Sequence, residues 1–144
     1  MTKSSLQTRM NKQLRQVKEF HEAFDAPISE ELTLIPEERY HLRSDLLAEE
    51  NQEYLKACLD KDVVGVADAL GDMLYILCGT MVEHGFQAYM ESVFTEIHRS
   101  NMSKLGADGK PIYREDGKIL KGPSYFKPRL TKVINKVERN ISDK

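Results

Sequence analysis

The chain has 144 residues, of which 40% are hydrophobic and 31% charged, with a formal net charge of −2. This length allows one domain with a real core, and the composition excludes wholesale disorder. The first residues lack the apolar segment of a secretory signal, and no apolar run approaches the ~20 residues of a membrane span. The two cysteines, Cys58 and Cys78, fit a reducing compartment. We therefore expect a cytoplasmic protein with no membrane partner.

Charge is distributed unevenly along the chain. Residues 98–144 carry 12 Lys and Arg against 5 Asp and Glu, and the remainder carries 9 against 18. The negative total argues against a nucleic-acid partner. An acidic body with a basic final third suits a metal site beside a region that contacts phosphates, and a solvated tail is the alternative that charge leaves open.

Hydrophobic periods, capping residues and helix breakers predict five helices in chain order. They cover about 6–24, 36–60, 62–84, 87–103 and 129–142. Phe20 falls in the apolar stripe of the first helix, and the apolar face predicted for the fourth is formed by Met90, Val93, Phe94 and Ile97. Ser4 or Ser5 can cap the first helix, Pro36 suits the first position of the second, and Gly85 is a good stop for the third. The last helix is amphipathic and is expected to dock on a partner subunit.

The stretch between the fourth and fifth helices is rich in Gly, Pro and Asp-Gly pairs. Its short apolar runs, PIY and KIL, flank REDGK, which predicts an irregular or β-hairpin segment near 106–126. The predicted architecture is therefore all-α, in a single domain over 1–144 with a core of about 5–130.

The second helix carries the acidic motif EENQE at 49–53. At about 100° per residue, Glu49, Glu50 and Glu53 lie within one arc of the helix surface. The apolar residues projecting into that arc are Leu42, Leu46 and Ala57. We therefore expect the three carboxylates to face the core and not the solvent.

The third helix is apolar nearly all round, which predicts that it is buried. Between Val63 and Val82 its polar side chains are Asp68, Asp72, Tyr75 and Thr80. The two aspartates are four residues apart and lie one turn above each other. Burying two like charges costs several kcal/mol per ion unless positive charge compensates, and this helix holds no Lys or Arg.

Two kinds of positive charge could serve these acids. Pairing with Arg39, Arg43 or Lys56 would satisfy one aspartate, whereas five converging acids favour a bound cation. Ligands that are all oxygen indicate Mg²⁺, with Mn²⁺ as the alternative. Glycines within the third helix cost about 1 kcal/mol each relative to Ala, and we expect them to mark close helix approach. They are Gly65, Gly71 and Gly79.

Magnesium held by carboxylates acts most often on phosphates, and one carboxylate of such a cluster can accept a proton from the attacking water. No Walker loop is present. Basic residues after the fourth helix could reach a triphosphate, although each can equally be a solvated surface lysine. They are Lys104, Lys110, Lys118 and Lys121.

Three segments together carry a family resemblance. EENQE (49–53), DALGDMLYILCG (68–79) and HRSNMSKL (98–105) resemble the all-α nucleotide pyrophosphohydrolases, which include the MazG-like proteins, the dUTP and dCTP pyrophosphatases of that fold and phosphoribosyl-ATP pyrophosphohydrolase. The likeness covers most of 14–130. It implies a MazG-like bundle of four to five helices completed as a homodimer or homotetramer. It also implies Mg²⁺-dependent cleavage of a nucleoside triphosphate to the monophosphate and pyrophosphate, as in nucleotide-pool house-cleaning.

Carried over by position, the resemblance assigns Glu50, Glu53 and Asp72 to the metal and Glu49 to the attacking water. The substrate-binding residues it implies are His21, Phe24, Tyr75, Asn101 and Lys104, to which the lysine argument adds Lys118 and Lys121. The commoner family pattern places Glu at position 69, where this chain has Ala69. Asp68 is the substitute, either as a direct ligand or through a water.

Three alternatives compete with this interpretation. A di-iron bundle needs ExxH on each of two helices, and only Glu38 and His41 have that spacing. A non-catalytic regulatory module of the same fold stays open. Phosphoribosyl-ATP is the other candidate substrate, less favoured because the long 104–128 segment resembles the stand-alone MazG-type group.

Overall fold

The computed structural model describes residues 11–143, with side chains from residue 12 onward, and this part of the chain is all-α as predicted. Its helices are α1 (Asn11–Ala23), α2 (Glu37–Leu59), α3 (Val63–His84), α4 (Met90–Met102) and α5 (Leu130–Ser142). The predicted cap at Ser4 or Ser5 lies outside the described residues, as does the predicted start of the first helix at Leu6. Within 106–126 the described backbone forms one isolated antiparallel bridge, between Tyr113 and Ile119, in place of a full hairpin.

The helix ends follow local capping chemistry. Asp62 caps α3 by accepting a hydrogen bond from the Gly65 backbone N–H at 2.9 Å. Gly85 ends α3 with a φ of 81°, the left-handed conformation that favours glycine. Pro36 was predicted as the first residue of α2 and is its N-cap, one residue before the observed first turn. Helix α4 begins at Met90, three residues later than predicted.

The chain divides into two compact units, Met1–Gln87 and Ala88–Lys144. In the first unit α3 packs against both α2 and α1. Its core joins α1 to α3 and is made by Leu14, Val17, Cys78 and Val82, with Ile28 and Met81 packed against them. The single domain over 1–144 stays a prediction.

A buried ion network joins α2 to α3. Glu83 is fully buried, and its Oε1 lies 2.8 Å from Arg39 Nη2 while its Oε2 lies 3.1 Å from Arg43 Nη1. Arg43 also donates to the Ile76 carbonyl at 2.8 Å and to Thr80 Oγ1 at 3.0 Å. Two guanidinium groups therefore neutralise one buried carboxylate and bind α3 along two of its turns.

Two of the three glycines of α3 allow close packing, as predicted. A Cβ at Gly79 would collide with the Arg43 guanidinium and with His21 Nε2. One at Gly65 would press on Asp62, the N-cap of α3, and on Ala57 of α2. Gly71 differs, because a Cβ there would meet nothing within 4 Å. The prediction of close approach at Gly71 is wrong for the described chain, since a cavity between α1 and α3 opens at this position.

The prediction that α3 is buried all round is also wrong. Leu70, Leu74 and Leu77 are 50%, 46% and 42% exposed, because α1 and α2 cover only part of the helix circumference. Only 17% of its most apolar 18-residue window is buried within the protein. By length and composition α3 could cross a membrane, so the expectation that no apolar run reaches that size is wrong for this helix. Asp68 and Asp72 would be costly in such a span.

In the second unit, α4 buries a different face from the predicted one. The predicted apolar face was Met90, Val93, Phe94 and Ile97, whereas the residues that α4 buries are Val93, Glu96 and Ser100. Phe94 is 61% exposed. Glu96 can be buried because Arg99 and the Arg129 backbone N–H neutralise and bind its carboxylate.

The segment before α5 is attached to the end of α4. Ser100 Oγ donates to the Phe126 carbonyl at 2.8 Å, and the Gly122 N–H donates to the Lys104 carbonyl at 2.9 Å. A Cβ at Gly122 would collide with the Leu105 carbonyl, so only glycine allows this approach. Helix α5 itself has no buried residue among those described.

Candidate active site

The acidic residues of α2 and α3 come together where these two helices pack. Burial raises the pKa of the Glu50 carboxyl above its ordinary value, and the charges of Glu53 and Asp72, a hydrogen bond with Glu53 and the charge of Asp68 raise it further. Charges act strongly only on near neighbours, because solvent ions screen the rest. Four of the five acids predicted from the sequence therefore form one cluster around Glu50.

Glu50 is the least satisfied member of this cluster. Its Oε2 is buried and has no hydrogen-bond partner among the described residues. The alternative pairing of these acids with Arg39 or Arg43 is not realised, since both guanidinium groups bind Glu83. No ion pair of Lys56 occurs in the described part of the chain either. A buried carboxylate oxygen among like charges, with no cation of the described chain to serve it, is the environment in which a bound metal ion is stabilising.

The acids lie at the edge of the helix pair and do not face the core. Glu49, Glu53 and Asp68 are exposed, while Glu50 and Asp72 are half-buried. The prediction that the glutamates face inward is therefore wrong for Glu49 and Glu53. The physical reason is that Ala57 is the one buried residue that α2 contributes, so most of the predicted inward arc lies beside the contact with α3. This placement leaves the cluster open to a ligand from solvent.

The donor set fits Mg²⁺, although it is not a closed cage. Among residues 12–143, no three Asp, Glu, His or Cys side chains converge tightly enough to enclose an ion. Magnesium usually retains several waters and is held by one or two carboxylates together with substrate phosphates. Glu50 and Asp72, both half-buried, match that requirement, and the exposed Glu53 and Asp68 are near enough to add charge.

An aromatic cluster joins the end of α1 to the helix that carries the aspartates, α3. The Phe20 ring stacks on Phe24 with centroids 4.4 Å apart and meets Tyr75 edge-on at 5.7 Å. Tyr75 is three residues after Asp72 and so projects from the same side of α3. The structure thus brings together Phe24 and Tyr75, both predicted from the resemblance, through Phe20, which was assigned only to the apolar stripe of the first helix.

A cavity of about 150 Å³ opens beside Tyr75, between α1 and α3. Gln13 and Gln16 line it together with Val17, Gly71, Leu74, Tyr75 and Cys78. The two amides were not predicted as site residues, because an isolated Gln on an amphipathic helix carries no signal of its own. Their position beside an exposed aromatic ring offers hydrogen-bonding groups next to a stacking surface.

His21 occupies a structural position. Its side chain is 3% exposed, and its Nδ1 lies 2.9 Å from the Pro27 carbonyl, which joins α1 to the loop after it. Its Nε2 faces Gly79. The predicted contact of His21 with a nucleotide base stays a prediction.

The remaining predicted residues belong to the unit Ala88–Lys144. Asn101 is exposed in the last turn of α4, and Lys104 is half-buried just after it. Lys118 and Lys121 are exposed on the following segment, with Lys121 Nζ 4.8 Å from the centre of the Tyr125 ring. Their contact with phosphate stays a prediction.

The two acid-bearing helices, α2 and α3, lie in the part of the chain that matches a known protein family. No curated protein matches the chain in sequence. Among solved structures, a proposed NTP pyrophosphohydrolase from Exiguobacterium sp. 255-15 is 28% identical and has a TM-score of 0.48, over 91% of this chain and 96% of that one. The family model of phosphoribosyl-ATP pyrophosphohydrolase matches residues 17–101, which hold α2, α3, most of α1 and nearly all of α4. Because this match spans more than half of the chain, the protein belongs to the phosphoribosyl-ATP pyrophosphohydrolase family of all-α nucleotide pyrophosphohydrolases.

Proposed function

We propose that this protein hydrolyses a nucleoside triphosphate between its α and β phosphates, releasing the monophosphate and pyrophosphate in a reaction that depends on Mg²⁺. The observation that carries the proposal is the environment of Glu50, whose buried, unpartnered oxygen lies among the carboxylates of Glu53, Asp68 and Asp72. Such a cluster is unfavourable by itself and becomes favourable when a divalent cation and a polyphosphate bind.

Glu50 and Asp72 would hold the ion, and Glu53 and Asp68 would add charge or bind its waters. Mn²⁺ can take the place of Mg²⁺ because both prefer oxygen ligands. When bound, the ion offsets the charge of the phosphate oxygens and lowers the pKa of a water. The open edge on which these acids lie supports a substrate that arrives from solvent and supplies phosphate ligands.

Glu49 is the residue we assign to the attacking water. It is exposed and lies one turn before Glu53, on the same side of α2. From there its carboxylate can accept the proton of a water that attacks the α phosphorus, while the bond from that phosphorus to the bridging oxygen breaks. Pyrophosphate leaves with the bridging oxygen. The rings of Phe20, Phe24 and Tyr75 would stack on the base.

The test is a panel of NTPs and dNTPs with Mg²⁺, in which pyrophosphate and orthophosphate are measured separately. We expect pyrophosphate from at least one substrate and none in EDTA. Glu50→Gln and Asp72→Asn should each lower kcat/KM at least about 100-fold, since each removes a charge that binds the ion. Glu38→Gln and Asp45→Asn are matched controls on exposed positions of α2 and should stay within about twofold. Orthophosphate as the product, or full activity of Glu50→Gln, would refute the mechanism.

Phosphoribosyl-ATP is the second candidate substrate, favoured by the description of the family that the chain matches. It belongs in the same panel, and a kcat/KM well above that of every NTP would make it the substrate. Failure of all these compounds to yield pyrophosphate would instead favour a non-catalytic module.

We also propose that the protein forms a homodimer or homotetramer through α3. Leu70, Leu74 and Leu77 form an exposed apolar row, and Gly71 leaves open space beside them. Sedimentation should show a dimer or tetramer, and Leu77→Lys should shift it toward monomer. The control is Leu34→Lys, at a residue that is 89% exposed on a loop and should leave the assembly intact. A monomeric wild type would refute this part.

A further inference from the structure

A basic cavity in the unit Ala88–Lys144 has no role in the proposed reaction. Its volume is about 170 Å³, which corresponds to about five waters. Glu96 and Arg99 of α4 line one side, and Arg129, Lys132, Val133 and Lys136 line the other, along the start of α5. Four exposed cationic side chains and one carboxylate thus line a pocket that is open to solvent and large enough for a small anion.

Both oxygens of the single carboxylate in the lining already accept hydrogen bonds. Glu96 Oε2 accepts from Arg99 Nε at 3.1 Å, and Oε1 accepts from Arg99 Nη2 at 3.2 Å and from the Arg129 backbone at 3.0 Å. These bonds, first that of the Arg99 side chain and then that of the Arg129 backbone, hold the pKa of Glu96 below its ordinary value. Glu96 therefore stays ionised, offsets about one positive charge and leaves a net excess of about three in the lining.

The arginines are held in place by an aromatic ring. The Arg99 guanidinium lies 4.5 Å from the centre of the Phe126 ring, and that of Arg129 lies 5.9 Å from the same centre. Phe126 is fixed in turn by its backbone hydrogen bonds with Ser100 and Ser103. Two cations are thus ordered before any ligand binds, which lowers the entropic cost of binding one.

The basic residues along the start of α5 are in positions that are unfavourable for positive charge. Arg129, Lys132 and Lys136 follow each other at steps of three and four residues, so like charges are neighbours on one face of α5. Arg129 and Lys132 occupy the N-terminal end of α5, where the helix dipole is positive, and the first turn has neither an acidic residue nor a side-chain cap. No ion pair among residues 12–143 involves Lys132 or Lys136. One anion in the cavity would relieve all of these repulsions.

We propose that this cavity binds a small polyphosphate, either free pyrophosphate or the phosphate tail of a nucleotide. Arginine and lysine together suit this chemistry, because guanidinium groups bind phosphate oxygens in pairs and ammonium groups add mobile charge. The site consists only of residues of Ala88–Lys144, and Arg129, Lys132 and Lys136 lie outside the matched family region of 17–101. The inference therefore goes beyond the proposed hydrolysis and does not depend on it.

The test is calorimetric titration of the full-length protein with inorganic pyrophosphate in EDTA, where metal-dependent binding and turnover are absent. We expect one site that weakens as NaCl is added. The variant Lys132→Gln/Lys136→Gln should bind at least about tenfold more weakly, which is about 1.4 kcal/mol. The control Lys127→Gln/Arg139→Gln removes the same charge from exposed positions outside the cavity and should stay within about twofold. Circular dichroism verifies that each variant retains its helices.

Two further experiments distinguish free pyrophosphate from a nucleotide as the ligand, and this cavity from the candidate active site. A non-hydrolysable nucleoside triphosphate that binds more tightly than pyrophosphate assigns the cavity to nucleotide tails, and the reverse order assigns it to free pyrophosphate. Glu50→Gln should retain the binding in EDTA, even though it abolishes the proposed hydrolysis. The proposal is overturned by no binding to wild type, by equal losses in the two double variants, or by a loss confined to Glu50→Gln.

Discussion

Replacement of the buried glutamate of α3 should be the most damaging single polar change in this protein. In Glu83→Gln the neutral amide cannot offset two guanidinium groups, whose side chains are 28% exposed for Arg39 and 11% for Arg43. Removing one partner of a buried ion pair costs about 3–5 kcal/mol, because the remaining charge stays buried and unpaired. At a few degrees per kcal/mol for a chain of this size, the melting temperature should fall by about 10–15 °C.

The assay is urea unfolding followed by circular dichroism, with Glu30→Gln as the matched control. Glu30 lies 3.9 Å from Lys18 and its side chain is 82% exposed, so its loss should cost less than about 1 kcal/mol. A change of under about 1 kcal/mol for Glu83→Gln, similar to the control, would refute the argument that this network stabilises the contact between α2 and α3.

The same change should disturb the candidate active site without touching it. Arg43 lies two turns before Glu50 on α2, and it binds the carbonyl of Ile76, one turn after Asp72 on α3. The network therefore sets how the two acid-bearing helices align. Well below its melting temperature, Glu83→Gln should show kcat lower by about 10- to 100-fold, since small misplacements of catalytic groups have effects of that size. If folded Glu83→Gln keeps the kcat of the wild type, Glu83 contributes to stability but not to the alignment of the candidate active site.

Three other changes test separate parts of the molecule. In EDTA, Asp68→Asn should raise the melting temperature by about 1–3 °C, because it removes a charge that repels Glu50. Without EDTA, the same variant should bind Mg²⁺ more weakly. The control Asp45→Asn should show neither effect. The pKa of Glu50 is raised on folding. The metal-free protein should therefore lose stability as the pH rises from the ordinary glutamate pKa through that raised value. The melting temperature of Glu50→Gln should lack this part of the pH dependence. Gly122→Ala should cost about 1–3 kcal/mol in urea unfolding, because its methyl group meets the Leu105 carbonyl; a neutral effect would contradict that packing.

Features set by neighbours in sequence were predictable. The third helix was expected over 62–84 with a stop at Gly85 and is observed over Val63–His84, because its Asp62 cap and its left-handed glycine act within one turn. The clustering of Glu50, Glu53, Asp68 and Asp72 was also predictable. Once α2 and α3 form a hairpin, acids near the middle of each helix face one another.

Features that require partners from another helix were not predictable. Nothing in the sequence around Glu83 or Glu96 indicates burial, yet both are buried. Glu83 is paired with two arginines of α2, and Glu96 is bound by Arg99 and by the backbone at the start of α5. Burial of a charge depends on partners, and the two arginines that pair with Glu83 and the Arg129 N–H that binds Glu96 are supplied only by the tertiary structure. The same cause moved the buried face of α4 toward Glu96 and left Phe94 exposed.

The exposed side of α3 bears on both main proposals, the assembly of copies through α3 and the binding of a cation by the acidic residues. A helix apolar nearly all round requires cover on every side, and within the unit Met1–Gln87 the helices α1 and α2 cover only part of α3. Burying the exposed half of Leu70, Leu74 and Leu77 would add about 1 kcal/mol for each side chain, enough to favour a protein surface there. Gly71, next to Asp72, leaves room for that surface to approach closely. A second copy at this position would remove water from around the aspartates, so the cation proposed between them would be bound more strongly in the assembly than in a single chain.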